Sequence, residues 1–570
     1  MPLTHPSMLA RGTRGGRTRL PALRAAASAI DRELLLGAVL LSVVLAVGLF
    51  TAADYGITSD EFIFDNYGPK ALAWYASGFS DRSQFTYYDT YLYGPWFQML
   101  VAAAQSLHLA DPFAVRHALT FLVGLAGIAA LLPIGRLAAG RWAGLAALVL
   151  CLITGNVYGH LFFTPNDIPF MAAMTWALLA ILLMTRSPVP AWPATIAAGL
   201  LTGLAIATRF GGVLSQAYLL AALCLGAVEC WLAGERGRVR ALLAIATRAA
   251  VALALGWLTA IALWPWLQTG NPFSRFRAAY DYFVSAYVHF EFSHWGERVW
   301  SNALPWHYIP GQLLARLPEL FVVLLVVASI SGAWHLARLA AESSTGIRRR
   351  RIAGLRAPAL RIAQARPLLI VALAALGPAV FVAARHSVIF DGVRHLLFIL
   401  PPLAVLAAWG LLQLAPLIRR FPLAAGGALA LQIGVALAAM AALHPLEYVA
   451  MNSFVGGTAG AAGRFDLDYW GAAATEAVRR LQQRETGNHR GQSAAAPQVM
   501  VCINWRESMV QPMLPPGWIM ATDPHAADFL IETERWRCGN DLDGKSIDKV
   551  ERAGVTFATT IEARPSANRR

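Results

Sequence analysis

The chain has 570 residues, of which 57% are hydrophobic and only 14% are charged, and its mean hydropathy is +0.50. Soluble domains carry about 25% charged residues, so this composition excludes an ordinary water-soluble enzyme. The formal net charge of +14 would suit a nucleic-acid-binding protein, but the basic residues are distributed in a way that a membrane topology explains better.

Apolar runs of about 20 residues, the length that crosses the hydrocarbon core of a bilayer, recur along the chain. We predict an α-helical polytopic membrane protein with about eleven spans, followed by a small soluble α/β domain. The predicted spans are residues 34–52, 114–135, 142–155, 168–185, 192–208, 213–233, 245–267, 317–339, 367–384, 396–415 and 422–443. The first run is longer than the apolar core of a signal peptide, so we expect it to be a retained span.

The basic clusters fall on one side of the membrane when these spans are numbered in order. The clusters are the tail 1–33, Arg136 with Arg141, Arg186, residues 236–240, residues 348–366 and Arg419 with Arg420. By the positive-inside rule this side is cytoplasmic, where the clusters would also contact anionic lipid headgroups. An odd number of spans then places the C-terminal domain, 444–570, on the outer side.

The membrane domain therefore covers residues 34–443, with a first external loop at 53–113 and a large external loop at 268–316. The aromatic-rich runs Tyr91–Leu107 and Tyr280–Phe292 in these loops predict interfacial helices that lie along the membrane surface. A membrane-interface belt explains most of the other external aromatic residues.

Two adjacent carboxylates, Asp60 and Glu61, follow the first span in the segment TSDEFIFDNYG. An N-cap formed by Ser59 or Asp60 is the structural alternative, and it would explain one of these residues. A cap does not explain two carboxylates so close to apolar surface, where burial of charge is costly. We therefore favour acid–base chemistry at the membrane surface.

Further charged residues gather on the same predicted side. Asp167 lies in the turn before the fourth span, where it could also act as a helix N-cap. Arg209 ends the fifth span against the positive-inside trend, and Arg394 and His395 lie in the short turn before the tenth span. Lys70 lies in the first loop, where a solvated charge is the alternative. External arginines beside carboxylates favour binding of a phosphate group.

The C-terminal domain is the only polar region of comparable length. Its predicted elements are strands at Val499–Ile503 and Ala527–Ile531 and a helix at 473–484. Cys502 and Cys538 would pair in an oxidising compartment, and neither has the CxxC spacing of a metal site. Phe465–Trp470, at the base of the domain, fits a packing junction and an acceptor contact equally well.

Four segments in this order carry a resemblance to a known family: TSDEFIFDNYG, FTPNDIPFM, FDGVRHLLFILPPLAVL and HPLEYVAMNSFVGGTAGAAGRFDLDYWG. They resemble the polytopic C-type glycosyltransferases and are similar to protein O-mannosyltransferases and lipid A aminoarabinose transferases. The resemblance runs from about residue 34 to about residue 480. It implies a multi-pass enzyme of the bacterial inner membrane that uses a polyprenyl-phosphate sugar donor at the periplasmic face.

The resemblance also implies roles for individual residues. The acidic residue of the first external loop, which acts on the acceptor as base or orienter, maps onto Asp60, with Glu61 as its neighbour. The second external acidic residue maps onto Asp167. Beyond Gly68 the first loop departs from the mannosyltransferases, so no acceptor-binding residue is carried over. Metal use differs within the superfamily, so we assign no metal ligands and leave the use of a divalent cation open.

Residue chemistry agrees with this function. Asp60 would take a proton from the acceptor while Asp167 orients it, and nearby cations would neutralise the departing lipid phosphate. The expected donor-phosphate-binding residues are Arg209, Arg394, His395 and Lys70. Adjacent carboxylates do not form an opposed nucleophile pair, so we expect a single displacement with inversion. The acceptor class stays open among glycan, lipid and protein, and we expect no nucleic acid.

Two other functions remain as alternatives. A transporter or flippase for a lipid-linked or anionic solute would place charges near the middle of the bilayer, whereas these spans contain almost no Asp or Glu. A scaffold for an envelope complex would explain the C-terminal domain but not the group of carboxylates and cations. The sequence has no Walker loop and no GxSxG motif, which argues against nucleotide-driven transport and a serine hydrolase.

Overall fold

The computed structural model describes residues 31–233, 237–286, 289–346, 356–488, 497–502, 514–538 and 544–563. The predicted basic tail up to residue 30 and the arginine run 348–351 lie outside the described residues. Helices dominate because an apolar segment in a bilayer has to satisfy its backbone hydrogen bonds internally.

The helices are numbered here in chain order. Those of the first half are α1 Arg32–Thr51, α2 Ser59–Ala76, α3 Trp96–Gln105, α4 Pro112–Ala129, α5 Leu131–Ala138, α6 Ala143–Leu152, α7 Gly155–Phe163, α8 Asp167–Met184, α9 Trp192–Ile206, α10 Val213–Ala233, α11 Arg238–Leu263, α12 Pro265–Gln268 and α13 Pro272–Asp281. Those of the second half are α14 Tyr308–Arg316, α15 Glu319–Gly346, α16 Arg356–Arg385, α17 Leu400–Gln413, α18 Ala415–Arg420, α19 Pro422–Leu443, α20 Gly457–Ala461 and α21 Ala472–Asn488.

Within the described residues, nine helices are long and apolar enough to cross a membrane, or ten if the bent pair α6–α7 counts as one span. Each of the eleven predicted spans coincides with a helix, so the helical membrane class is confirmed. The third span differs because Thr154 is extended and bends α6 from α7 by 69°. The fifth span, α9, has only 15 residues, fewer than a full crossing requires.

The core of the membrane domain is formed by the spans that contact other helices on most sides. In the span that contains α8, 83% of the residues are buried, and in Arg394–Gln413, which contains α17, 72% are. By contrast, only 11% of α1 and 6% of α19 are buried, as expected for helices that face lipid. Two of the residues singled out in the sequence, Asp167 and Arg394, therefore begin the two most buried spans.

The two predicted interfacial helices have different outcomes. The helix α3 lies within the predicted run Tyr91–Leu107. The prediction at Tyr280–Phe292 is only partly correct, because α13 begins earlier and continues as a π-helix over Tyr282–Ala286, whereas a strand begins at Glu291. The side chain of Asn271 accepts hydrogen bonds from two backbone N–H groups of α13, and Pro272 occupies the first helical position, which together fix this earlier start.

A β-hairpin occupies the end of the second predicted run. Strand β1, Glu291–His294, pairs antiparallel with β2, Glu297–Trp300. The two residues between them, Trp295 and Gly296, both have positive φ values, 57° and 88°. Two such residues form the tight turn that matches the twist of antiparallel strands, so a continuous helix cannot form here.

The C-terminal region forms a small α/β unit, as predicted. Its strands are β3 Gln498–Cys502, β4 Ile519–Met520, β5 Phe529–Thr533, β6 Lys545–Arg552 and β7 Val555–Glu562. The sheet order is β4-β3-β5-β7-β6, in which β4, β3 and β5 are parallel and the remaining pairs are antiparallel. Helix α21 packs on this sheet through contacts with β5, β6 and β7.

A disulfide joins Cys502 at the end of β3 to Cys538 in the loop after β5, with the two Cα atoms 5.2 Å apart. The pairing predicted for an oxidising compartment is therefore confirmed by the structure. It cross-links the parallel half of the sheet, and the two cysteines are 36 residues apart in the sequence.

We expect Cys502→Ser with Cys538→Ser to destabilise the C-terminal unit by about 3–4 kcal/mol. Without the disulfide, the loop between the two cysteines is no longer closed in the unfolded chain, so the unfolded state gains conformational entropy. The measurement is the midpoint of thermal unfolding of the full chain, with and without reductant. Cys224→Ser, at an exposed free cysteine, is the control. An unfolding midpoint of the double variant equal to that of the oxidised wild type would contradict this prediction.

Candidate active site

Glu61 stabilises the N-terminus of helix α2 through hydrogen bonds. Its Oε2 accepts hydrogen bonds from the backbone N–H of Thr58 at 2.8 Å and from the Thr58 hydroxyl at 3.0 Å. Its Oε1 lies 2.8 Å from Nε2 of His117 on α4. The Glu61 side chain is fully buried, so both carboxylate oxygens are directed into the protein. The residue that precedes the helix is therefore Thr58, and not Ser59 or Asp60 as the capping alternative proposed. Glu61 is the carboxylate that takes part in capping.

Asp60, one residue earlier, faces the other way and contacts Arg394. The Arg394 Nη1 donates to Asp60 Oδ2 at 2.9 Å, and Nη2 lies 3.4 Å from Oδ2 of Asp391. Arg394 thus lies between two carboxylates, one from the first loop and one from the turn before α17. About a fifth of the Asp60 side chain is exposed, whereas Arg394 and Asp391 are buried.

The turn at Asp391 and Gly392 makes this arrangement possible. Both residues have positive φ values, 56° and 67°. A Cβ at position 392 would lie 2.8 Å from the guanidinium carbon of Arg316, so a larger residue would displace that guanidinium as well as strain the backbone. The Gly392 carbonyl accepts a hydrogen bond from the Tyr308 hydroxyl at 3.0 Å. This tight turn returns the chain so that Asp391 and Arg394 meet.

A second carboxylate–arginine pair lies beside the first. Asp167, the first residue of α8, pairs with the guanidinium of Arg209, and both side chains are mostly buried. Asp167 makes no N-cap hydrogen bond, because Asn166 occupies that position. Asp60, Asp391 and Arg394 all lie within electrostatic range of Asp167. The structure therefore brings together four of the predicted site residues, Asp60, Asp167, Arg209 and Arg394.

The first loop fixes the backbone that carries Arg209. The Gly94 N–H donates to the carbonyl of Thr208 at 3.2 Å, and the Trp96 indole donates to the Thr208 hydroxyl at 2.7 Å. A Cβ at Gly94 would lie 1.5 Å from the carbonyl oxygen of Ala207, so no larger residue fits there. The guanidinium of Arg209 also lies over the rings of Tyr93 and Phe170.

An apolar cavity of about 330 Å³ borders this group. Arg209 and His395 contribute to its wall, and the remaining lining is predominantly aromatic and aliphatic. The apolar lining includes Phe170, Phe276, Tyr280, Phe283, Phe381 and Phe398. His395 is held by the Phe390 ring, with the two ring centroids 4.6 Å apart. The cavity therefore has one cationic border and an apolar interior.

Lys70 lies apart from this group. It is ten residues beyond Asp60 on α2, which corresponds to about 15 Å along a helix. Its ammonium lies 5.4 Å from the centre of the Tyr87 ring. The phosphate-binding role predicted for Lys70 has no supporting contact among the described residues.

The C-terminal unit contributes residues that the sequence did not indicate. Arg535 reaches Asp391 with Nη1 at 2.7 Å from Oδ1, and its Nε lies 3.1 Å from Oδ2 of Asp466. Burial raises the pKa of Asp466, and the charge of Arg535 opposes this increase. Burial, with the charge of Asp466, also raises the pKa of Glu534 to about 7. No sequence motif marks Arg535, whereas the spacing of Thr58 and Glu61 is the known signature of a capping box.

No group of three or more His, Cys, Asp or Glu side chains in the described part of the chain is arranged to hold a metal ion. Asp60 and Asp391 are joined through Arg394.

A histidine that can change its charge connects the end of the first span to the end of the last span. His444, just after α19, has Nδ1 2.7 Å from Oε1 of Glu447 and Nε2 3.2 Å from Oδ2 of Asp54, just after α1. The hydrogen bond to Glu447 raises the pKa of His444, and Asp54 adds to this effect. The Tyr55 ring packs edge-on against the imidazole, and the Arg552 side chain donates to the His444 carbonyl.

We expect this contact to stabilise the protein at low pH. Because the pKa of His444 in the folded protein is above its ordinary value of 6.5, the stabilisation is complete below that value and is lost as pH rises through the higher one. His444→Gln should therefore reduce the fall in unfolding temperature between about pH 6 and about pH 9. An identical pH dependence in the variant and the wild type would contradict this expectation.

No protein-family model and no curated protein matches the sequence. Solved structures do show similarity. ArnT from Cupriavidus metallidurans, bound to undecaprenyl phosphate, has a TM-score of 0.45 and 13% identity over 94% of this chain and 99% of that chain. The oligosaccharyltransferase AglB from Archaeoglobus fulgidus, in complex with an inhibitory peptide and a dolichol-phosphate, has a TM-score of 0.42 and 13% identity over 86% of this chain and 69% of that one.

A third similar structure is the arabinofuranosyltransferase AftD from Mycobacteria, with a TM-score of 0.38 and 15% identity over 93% of this chain. The match spans only 40% of the length of AftD. All three similarities have TM-scores below 0.5 and identities of 13–15%.

Proposed function

We propose that the chain is a glycosyltransferase that moves a sugar from a polyprenyl-phosphate donor to an acceptor in the bacterial envelope. The observation that carries this proposal is the apolar cavity bordered by Arg209 and His395, beside the pairs Asp60–Arg394 and Asp167–Arg209. A polyprenyl phosphate has matching chemistry, with a long apolar chain and an anionic head.

The cavity would hold the head of the donor and its first isoprene units. Its volume lies near the lower end of the range of roughly 300–1,000 Å³ typical of small-molecule sites. One wall comes from Pro378, Phe381 and Val382 of α16, a helix that is mostly exposed and therefore borders the lipid. The remainder of the prenyl chain could then extend into the bilayer.

Arg209, Arg394 and His395 would bind the donor phosphate. An arginine guanidinium matches the geometry of phosphate oxygens and keeps its charge at any physiological pH. Both arginines already contact carboxylates, which hold them in place before the donor binds. Preorganised charge of this kind is effective because little rearrangement is needed when negative charge develops. Lys70 is not included in this proposed site.

Asp60 would act as the base. As the acceptor hydroxyl oxygen forms a bond to the anomeric carbon, Asp60 takes the hydroxyl proton. The bond from the anomeric carbon to the phosphate oxygen breaks, and its electron pair leaves with the polyprenyl phosphate. Because Asp60 becomes neutral as it takes the proton, Arg394 can stabilise the negative charge that develops on the departing phosphate. Attack from the side opposite the leaving phosphate inverts the anomeric centre.

Asp167 and Glu61 would support this chemistry in different ways. Asp167 would keep Arg209 in position and help to orient the acceptor. Glu61 would fix the start of α2, so that Asp60 is held beside Arg394. We therefore assign Glu61 a positioning role, because its two oxygens already contact Thr58 and His117.

The membrane orientation is part of the same proposal. The end of the helical bundle opposite the candidate site carries ion pairs between the start of α1 and the turn after α5. Asp31 lies 2.5 Å from both Arg136 and Arg141, and Glu33 lies 3.1 Å from Arg141. We propose that this end is cytoplasmic, which places the site and the C-terminal unit in the periplasm.

The direct test is transfer by the full-length protein in lipid nanodiscs supplied with polyprenyl-phosphate sugars. We expect release of polyprenyl phosphate that depends on both donor and acceptor. Mass spectrometry of envelope glycans before and after deletion of the gene would identify the sugar and the acceptor. If no donor is consumed and no glycan changes, the proposed function is wrong.

One observation favours a transporter or flippase as the second candidate. The α6–α7 pair is a broken span, a feature that secondary transporters use at their substrate sites. However, the start of α7 packs closely against the chain after α19, since a Cβ at Gly155 would lie 3.0 Å from the carbonyl oxygen of Glu447. Flux of a lipid-linked solute across proteoliposomes, without any release of sugar, would favour this candidate.

A further inference from the structure

One side chain of the C-terminal unit is inserted into the candidate active site. Arg535 follows β5, and only 7% of its side chain is exposed, whereas 69% of Arg537, two residues later, is exposed. Arg535 bridges Asp391 and Asp466 and lies over the Phe290 ring at 5.0 Å. It is therefore shared between the sheet, the turn before α17 and the segment before α21.

The loop that carries Arg535 is fixed at both ends. On one side, the Glu534 N–H donates to the carbonyl of Phe557 on β7 at 2.8 Å. The Glu534 carboxylate also accepts a hydrogen bond from the Leu467 N–H at 3.2 Å. On the other side, Cys538 is held by its disulfide to Cys502. The position of the guanidinium is thus determined by the fold of the C-terminal unit.

Arg535 reaches the proposed base through two intermediate residues. Asp391 contacts Arg535 through Oδ1 and Arg394 through Oδ2, and Arg394 in turn contacts Asp60. If Arg535 were removed, Arg394 would be the one remaining cation that contacts the buried Asp391 in this chain of three contacts. Asp391 would then attract Arg394 more strongly and draw it away from Asp60, because an unpaired buried carboxylate is costly.

We infer that Arg535 is a positioning residue, which occupies Asp391 so that Arg394 remains available to Asp60 and the donor phosphate. The C-terminal unit would accordingly complete the active site. This inference rests on the proposed function for its kinetic consequences, whereas its structural consequence, displacement of Arg394, does not require any activity.

The test compares Arg535→Gln with Arg537→Gln in the full-length protein in nanodiscs. Arg537 is the matched control, since it is on the same loop, is largely exposed and pairs with Glu532. We expect Arg535→Gln to lower kcat by on the order of 10²-fold, with a small change in the KM for the donor, because misplacement at a reacting group costs about that much. Arg537→Gln should have no effect.

A second substitution separates positioning from loss of structure. If Arg535 acts through Asp391, then Asp391→Asn in the Arg535→Gln background should recover kcat, because the competing charge on Arg394 is removed. A merely structural role predicts no recovery. Arg535→Lys, which keeps one charged contact, should fall between the wild type and Arg535→Gln, and it replaces the glutamine variant if that variant does not fold.

Hydrogen exchange of the amides in Arg394–Ile399 provides a measurement without activity. We expect faster exchange in Arg535→Gln, restoration in the double variant and no change in Arg537→Gln. Equal exchange and equal kcat in the Arg535 and Arg537 variants would overturn the inference while leaving the proposed function intact. A wild type that transfers no sugar would overturn the proposed function, and the exchange pattern would still decide the role of Arg535.

Discussion

Asp60→Asn is expected to lower kcat for sugar transfer by about 10²–10⁴-fold, the usual contribution of a general base. The substitution keeps the size of the side chain and a hydrogen bond to Arg394, so the fold should be retained. Binding of undecaprenyl phosphate should not weaken, since Asp60 is expected to contact the acceptor rather than the phosphate. The measurements are kcat in nanodiscs and lipid binding by thermal shift.

Asp65→Asn is the matched control for this prediction. Asp65 is on the same helix and pairs with Arg116 at 3.0 Å, so its substitution also breaks a carboxylate–arginine pair. Arg116 also donates a hydrogen bond to Gln98, and neither Asp65 nor Arg116 belongs to the proposed site. We therefore expect a loss of stability with little change in kcat. If Asp60→Asn retains wild-type kcat at equal protein levels, Asp60 is not the base.

Arg209→Gln is expected to have the largest effect on donor binding. A hydrogen bond to a charged group contributes about 1.5–3 kcal/mol, so the Kd for undecaprenyl phosphate should rise by roughly 10- to 150-fold. The substitution also leaves the buried Asp167 without its cation, which should lower the unfolding temperature. Binding and unfolding are therefore both measured.

A double variant separates these two effects. Asp167→Asn with Arg209→Gln removes the unpaired charge, so the unfolding temperature should recover while lipid binding stays weak. Arg277→Gln is the matched control, because Arg277 is largely exposed and pairs with Asp281 on α13, the helix that contributes Phe276 and Tyr280 to the cavity. Recovery of lipid binding in the double variant would show that Arg209 does not contact the phosphate.

The charged residues of the site could be selected from the sequence because their positions are unusual for a membrane protein. Arg209 lies at a span end where arginine is not expected, and Asp60 lies beside apolar surface. Both observations concern residues and their immediate neighbours, and the structure places both residues in ion pairs with partners distant in the sequence. The spacing of Thr58 and Glu61 also indicates a capping role for Glu61, but the sequence alone does not separate this role from that of Asp60.

Arg535 could not be identified in this way. It is 144 residues from Asp391, and nothing in the sequence around it distinguishes it from Arg537. Only the packing of β5 against β7 and the disulfide of Cys538 direct one arginine inward and leave the other in solvent. The position of Lys70 could not be predicted for the same reason. Lysine is an unusual residue type in this chain, but Lys70 lies far along α2 from Asp60.

The sequence by itself determined that this is a helical membrane protein, about where most of its spans lie, and that its unusual charges flank particular spans. These properties follow from the length of apolar runs and the cost of burying charge, which depend on local composition. The tertiary structure alone decided which carboxylate meets which arginine, that Glu61 caps a helix while Asp60 faces Arg394, and that the C-terminal unit reaches the site. Such pairings depend on distances and directions between side chains that are far apart in the sequence, and only the packed helices and the sheet fix them.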